Sequence, residues 1–177
     1  MEELAVRTRE RLPYFGGAAL LVLLDQLTKA VVSRAIPLHE RIEVIGGFFD
    51  LTHVRNTGAA FGLFAGATSP YRPLLLNAVA LTVFVAVLVY AFRSPVRWVR
   101  LQSALALILG GAIGNLIDRL RHGFVVDFLR FYLGSHEWPS FNVADSAITV
   151  GVALLAWDVW KSPAAEEEAA RPDPKSA

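Results

Sequence analysis

Four apolar runs, at residues 14–36, 74–92, 101–120 and 141–160, constrain this chain more than any other feature. A helix of about 20 apolar residues crosses a hydrocarbon core roughly 30 Å thick, and each run is close to that length. The composition agrees. Of 177 residues, 54% are hydrophobic and only 19% charged, with a mean hydropathy of +0.45, whereas an ordinary soluble domain is about a quarter charged. A net charge of +1 leaves no basic stripe for a nucleic-acid partner. The absence of cysteine excludes a disulfide framework, a thiolate metal site and a cysteine nucleophile.

The fold expected is an all-α membrane protein of four transmembrane helices, with a small extramembrane β-sheet after the first. Residues 1–161 form its single domain. The first run follows Arg7, Arg9 and Arg11, does not end in a small-residue cleavage pattern and continues past Asp25 and Lys29. It reads as a retained span rather than a signal peptide. Residues 37–69 change texture, with β-branched and aromatic residues on either side of Gly46-Gly47, which predicts a hairpin. Residues 162–177, with Pro163, Glu166 to Glu168, Pro172 and Pro174, read as a disordered cytoplasmic tail.

Four spans place both termini on the side that holds Arg93, Arg97 and Arg100, so the positive-inside rule makes that side cytoplasmic. Arg41, Arg55, Arg72, Arg119, Arg121 and Arg130 fall at or beyond the opposite face and call for a separate reason.

Polarity concentrates in residues 114–128 and 141–147. Asn115 and Asp118 stand three apart near the end of the third run, and Asn142 and Asp145 repeat that spacing at the start of the fourth. With Gly123 ending the third helix, Asp127 and Asp145 meet at the outer surface. A charged side chain at a span centre costs roughly 2.5–3.5 kcal/mol, so such residues are paired, cavity-facing or functional. Two readings stand on spacing alone. The carboxylates are helix-end charges, with Asp145 capping first-turn amides, or they share one proton and supply an acid and a base to one water.

Asp25-Gln26-Leu27-Thr28-Lys29, Asn56-Thr57-Gly58-Ala59-Ala60-Phe61, Gly114-Asn115-Leu116-Ile117-Asp118-Arg119, Val125-Val126-Asp127-Phe128 and Phe141-Asn142-Val143-Ala144-Asp145-Ser146 resemble the five ordered motifs of the lipoprotein signal peptidase (signal peptidase II) family. The resemblance implies a membrane aspartic endopeptidase that cuts diacylglyceryl-modified prolipoproteins just before the lipidated cysteine. Asp127 and Asp145 match the catalytic aspartates. Asn56, Gly58, Asn115, Asp118, Arg119, Asn142 and Ser146 match positions that support the substrate or the dyad. The implied enzyme needs no cofactor or metal, is a monomer among membrane lipids, and sits in the bacterial cytoplasmic (inner) membrane with its site near the outer face. Residues 129–140 match no motif.

Asp25 and Lys29, four apart, read as a structural ion pair along one helix face. Asp118 reads either as a third acid or as an orienter of Arg119 or a neighbouring amide. The histidines His39, His53, His122 and His136 are scattered without metal-ligand spacing. Ser135-His136 lacks a GxSxG elbow. The alternative function is a small transporter with Asp25, Lys29, Asp118, Asp127 and Asp145 as an ion relay. Polar residues gathered toward one surface favour the peptidase.

Overall fold

In the computed structural model, residues 2–58 and 71–169 are described. The order is α1 (Glu2–Ala35), β1 (Arg41–Ile45), β2 (Phe49–Asn56), α2 (Arg72–Arg93), α3 (Val99–His122), β3 (Val125–Leu133), β4 (His136–Glu137) and α4 (Val143–Ala169). The protein is mostly helical, with one small antiparallel sheet in the order β1-β2-β3-β4. Among the described residues, three helical stretches are long and apolar enough to cross a membrane, Arg9–Ala35, Leu74–Arg93 and Val99–His122.

α3 is the hub, with α1, α2 and α4 all packed against it. It can be so because Gly110 lies against Ala18 of α1 and Gly111 against Ala144 of α4, where close backbone approach leaves no room for side chains. The α2 side is filled conventionally: Ala91 meets Leu101, Leu105 and Leu109, flanked by Phe84, Val87 and Leu88. The rest of α2 is bare, with Leu74, Leu81 and Val85 exposed, as suits a helix facing acyl chains.

Helix ends differ from the sequence expectation in instructive ways. α1 starts at Glu2 and runs through Pro13 rather than beginning after it. α4 continues to Ala169, past residue 162 where disorder was expected, and residues 170–177 lie outside the described part. Ala59, Ala60 and Phe61 of the second motif lie outside it too. α3 stops as expected at Gly123, whose φ of 77° is left-handed and costs a residue without Cβ nothing.

The hairpin around Gly46-Gly47 forms, with Ile45 accepting from the Phe48 N–H at 3.0 Å. The sheet does not stop there. Val125–Leu133, which carried no strand expectation, pairs antiparallel with β2, with Asp50 opposite Arg130 and Val54 opposite Asp127. Arg130 donates to Asp50 at 2.7 Å and to both oxygens of Glu137 at 2.6 and 2.7 Å, and the Tyr132 hydroxyl donates to Asp50 at 3.0 Å. This ion cluster is the separate reason that Arg130 called for. Val32, Ile36 and Phe128, with Leu51, Leu129 and Val143, seal the sheet onto the ends of α1 and α4.

Candidate active site

The site is assembled where the ends of α1 and α3, the start of α4 and the pair β2–β3 converge. On α1, Lys29 is 3% exposed and its ammonium has three acceptors: Asp25 Oδ2 at 2.8 Å, Asp118 Oδ2 at 3.1 Å and Asn115 Oδ1 at 3.0 Å. Three acceptors match its three N–H bonds. Gly114 makes room for Asp25, since a Cβ there would lie 2.6 Å from Asp25 Oδ2.

On α3, Asp118 accepts the Val126 N–H at 3.1 Å, and its other oxygen accepts Gln26 Nε2 at 3.0 Å. Asp118 thereby fixes the first residues of β3, directly before Asp127. The amide it meets is that of the β3 backbone at Val126.

α4 begins with a reciprocal cap. Asn142 Oδ1 accepts the Asp145 N–H at 2.9 Å, and Asp145 Oδ2 accepts the Asn142 N–H at 3.3 Å. This is capping-box geometry, in which two orphan donors of a helix start are satisfied by each other's side chains. Asp25 Oδ1 accepts a third first-turn donor, the Ala144 N–H, at 3.0 Å.

Asp127 is 2% exposed. Its Oδ1 accepts Asn142 Nδ2 at 2.7 Å and its Oδ2 accepts Asn56 Nδ2 at 2.9 Å. Asn56 reaches it because Val54, two residues earlier on β2, is directly opposite Asp127, so Asn56 is its diagonal neighbour on the same face. Asp145 Oδ1 accepts Asn115 Nδ2 at 2.8 Å. Each oxygen of the two carboxylates thus has a fixed donor, and Asn142 bonds to both acids.

Burial is the main influence on the Asp127 carboxyl, pushing it up to about 7; the charge of Asp145 adds to this, while the amides of Asn56 and Asn142 and the charge of Lys29 oppose it. A carboxyl poised there exchanges its proton near neutral pH. An apolar cavity of about 240 Å³ opens beside the acids, bounded by Asn56, Phe141, Asp145, Ile148, Thr149 and Val152. A larger hollow of about 420 Å³ at the other end of the bundle, between Arg11, Phe92 and Arg97, has no pair of carboxylates.

A family model described as signal peptidase (SPase) II matches residues 17–161, which takes in every residue of this site. The chain belongs to the signal peptidase II family. This family member is 49% identical to the lipoprotein signal peptidase of Desulforapulum autotrophicum and 46% identical to that of Syntrophus aciditrophicus, each over 142 residues that make up 80% of this chain and 88% of the relative. A solved bacterial membrane enzyme superposes with a TM-score of 0.76 at 30% identity, over 85% of this chain and 89% of that one. As a signal peptidase II it is a protease, and its apolar helices make it a multi-pass membrane protein.

Of the residues singled out in the sequence of this peptidase, Asn56, Asn115, Asp118, Asp127, Asn142 and Asp145 come together. Gly58 and Arg119 form the rim: the Gly58 N–H donates to Asn56 Oδ1 at 2.8 Å, and Arg119 Nη2 donates to the Gly58 carbonyl at 3.4 Å. Ser146 turns away, its hydroxyl donating to the Asn142 carbonyl at 2.8 Å. Asp25 and Lys29 are paired as expected, but the pair extends to Asn115 and so into the site. Gln26 was not singled out for the site, although three polar residues within one turn of an apolar helix were a visible signal.

Proposed function

We propose that the chain removes the signal peptide from diacylglyceryl-modified prolipoproteins, cutting just before the lipidated cysteine, with Asp127 and Asp145 as the catalytic dyad. One observation carries the assignment: Asn142 bonds to both carboxylates at one end of the bundle, Asp127 buried and Asp145 half-buried against an apolar cavity.

The chemistry follows from which acid keeps the proton. Asp127, pushed up by burial and by its neighbour's charge, is the protonated partner. Asp145 stands in the first turn of α4, where backbone donors favour a carboxylate. Asp145 takes a proton from water as the water oxygen attacks the scissile carbonyl carbon, and Asp127 gives its proton to the carbonyl oxygen. The tetrahedral intermediate collapses when Asp145 returns its proton to the leaving nitrogen and Asp127 recovers one from the diol. The C–N bond breaks, one water is consumed and both acids end as they began. The cavity wall of Phe141, Ile148 and Val152 suits an acyl chain or an apolar signal-peptide residue.

In the membrane, α4 is a fourth span, residues 1–161 act as one peptidase unit, and the protein is a monomer in the bacterial inner membrane. Both termini are cytoplasmic and the acids lie near the outer face. Arg11 on α1 bonds to carbonyls at the end of α2, which supports a common side for the N-terminus and the arginine-bearing loop between α2 and α3.

The test is cleavage of a diacylglyceryl prolipoprotein and its unlipidated form by purified Asp127→Asn and Asp145→Asn variants. Folded variants at least about 1,000-fold slower than the parent are expected, with the parent acting on the lipidated form alone. Near-parent cleavage by either variant overturns the assignment.

A further inference from the structure

Lys29 is more deeply connected than a helix-stabilising ion pair requires. One carboxylate four residues away on the same helix would satisfy its charge. Instead the ammonium also reaches Asn115 Oδ1 on α3, and the far end of that amide donates to Asp145.

An amide has two orientations that differ only in exchanging its oxygen and NH2 group. Asn115 Oδ1 faces Lys29 at 3.0 Å and Asn142 Nδ2 at 3.2 Å. In the flipped orientation its NH2 group would face an ammonium and a second NH2 group, and its oxygen would face the Asp145 carboxylate. That sets donor against donor and acceptor against acceptor around an amide that is itself buried, as Lys29 and Asn142 are. We propose that Lys29 is a positioning residue for the dyad: its ammonium locks the Asn115 amide in the one orientation that donates to Asp145 Oδ1. This rests on the dyad proposed above.

The charge of Lys29 bears on the same acids. The charged groups facing the dyad are Asp25 and Lys29 from α1 and Asp118 and Arg119 from α3, with Asp127 on β3 and Asp145 on α4 forming the dyad itself. Two carboxylates and a singly ionised dyad stand against two cations. Removing Lys29 leaves one cation, so the dyad binds its second proton at higher pH and the acid limb of the activity profile moves upward.

The experiment uses the full chain in detergent with a diacylglyceryl prolipoprotein. It compares Lys29→Met, the charge-neutral pair Asp25→Asn/Lys29→Met and Asp127→Asn, with each rate normalised to folded protein by thermal unfolding. Expected in both Lys29 variants is a fall in kcat of roughly 10- to 100-fold with KM nearly unchanged, and in Lys29→Met an acid limb displaced upward by roughly one pH unit. If Lys29→Met does not fold, the double variant, which keeps the net charge of the Asp25, Lys29 and Asp118 cluster unchanged, carries the test through its kcat. A parent-like kcat per folded molecule in the double variant, or an unmoved acid limb in a folded Lys29→Met, overturns the proposal. Loss of cleavage in Asp127→Asn with parent-like Lys29 variants removes this inference alone, whereas cleavage by Asp127→Asn removes the dyad beneath it.

Discussion

The two ends of α3 both bury polar side chains, and they do opposite things with them. At the end next to α2's C-terminus, Arg11, 4% exposed, donates to the carbonyls of Ala91, Phe92 and Ser94, and Gln102 donates to Ala91, Ser94 and Pro95. Each of these donors serves backbone acceptors left open where α2 ends. At the opposite end, Asp25, Asp118, Asp127 and Asp145 are held chiefly by side-chain amides and an ammonium. Finishing a helix requires far less than that. Buried polarity that only completes the backbone is architecture, and the acidity beyond that need is where the proposed chemistry is placed.

Ways to break this contrast can be ranked by size. Replacing Asn142 with Leu removes the bridge between the acids and the cap of α4 together, and cleavage by the folded fraction should fall at least about 100-fold; a kcat near the parent's would detach the acids from their scaffold. Raising pH acts on the same centre without mutation. Asp127 must be protonated, and its carboxyl loses its proton at about 7. Cleavage should therefore decline on the alkaline side, by about tenfold for each pH unit once the proton is lost. A profile flat from pH 6 to 9 would contradict the assigned acid.

At the Arg11 end the expectation inverts. Arg11→Met should lower stability by about 1–3 kcal/mol, since carbonyls at the end of α2 lose their donor, while kcat per folded molecule stays that of the parent; thermal unfolding beside an activity assay separates the two. Smallest is Glu137→Gln on the sheet. Its partner Arg130 is largely buried and Glu137 is half exposed, so screening limits the change to about 1 kcal/mol or less, readable only as a shift in unfolding midpoint.

The sequence made some of this readable for clear reasons. Apolar run length located the helices, Gly123 stopped α3, and the paired Asn-x-x-Asp spacings put polar side chains on facing helix surfaces. β3 escaped notice because Val125, Val126, Asp127 and Phe128 are all buried. A strand covered on both faces loses the alternation that marks strands in a sequence. The reach of Lys29 to Asn115 was hidden for a different reason. Spacing along α1 shows which residues share its face, but not how far α1 is slid along α3.

The reciprocal bonds between Asn142 and Asp145 make one of the two proposed reagents part of a helix start, while Asn115, on another helix, holds its other oxygen. A nascent chain whose last helix has yet to dock therefore has no assembled hydrolytic centre. Docking of the last helix is then itself the step that completes the proposed centre.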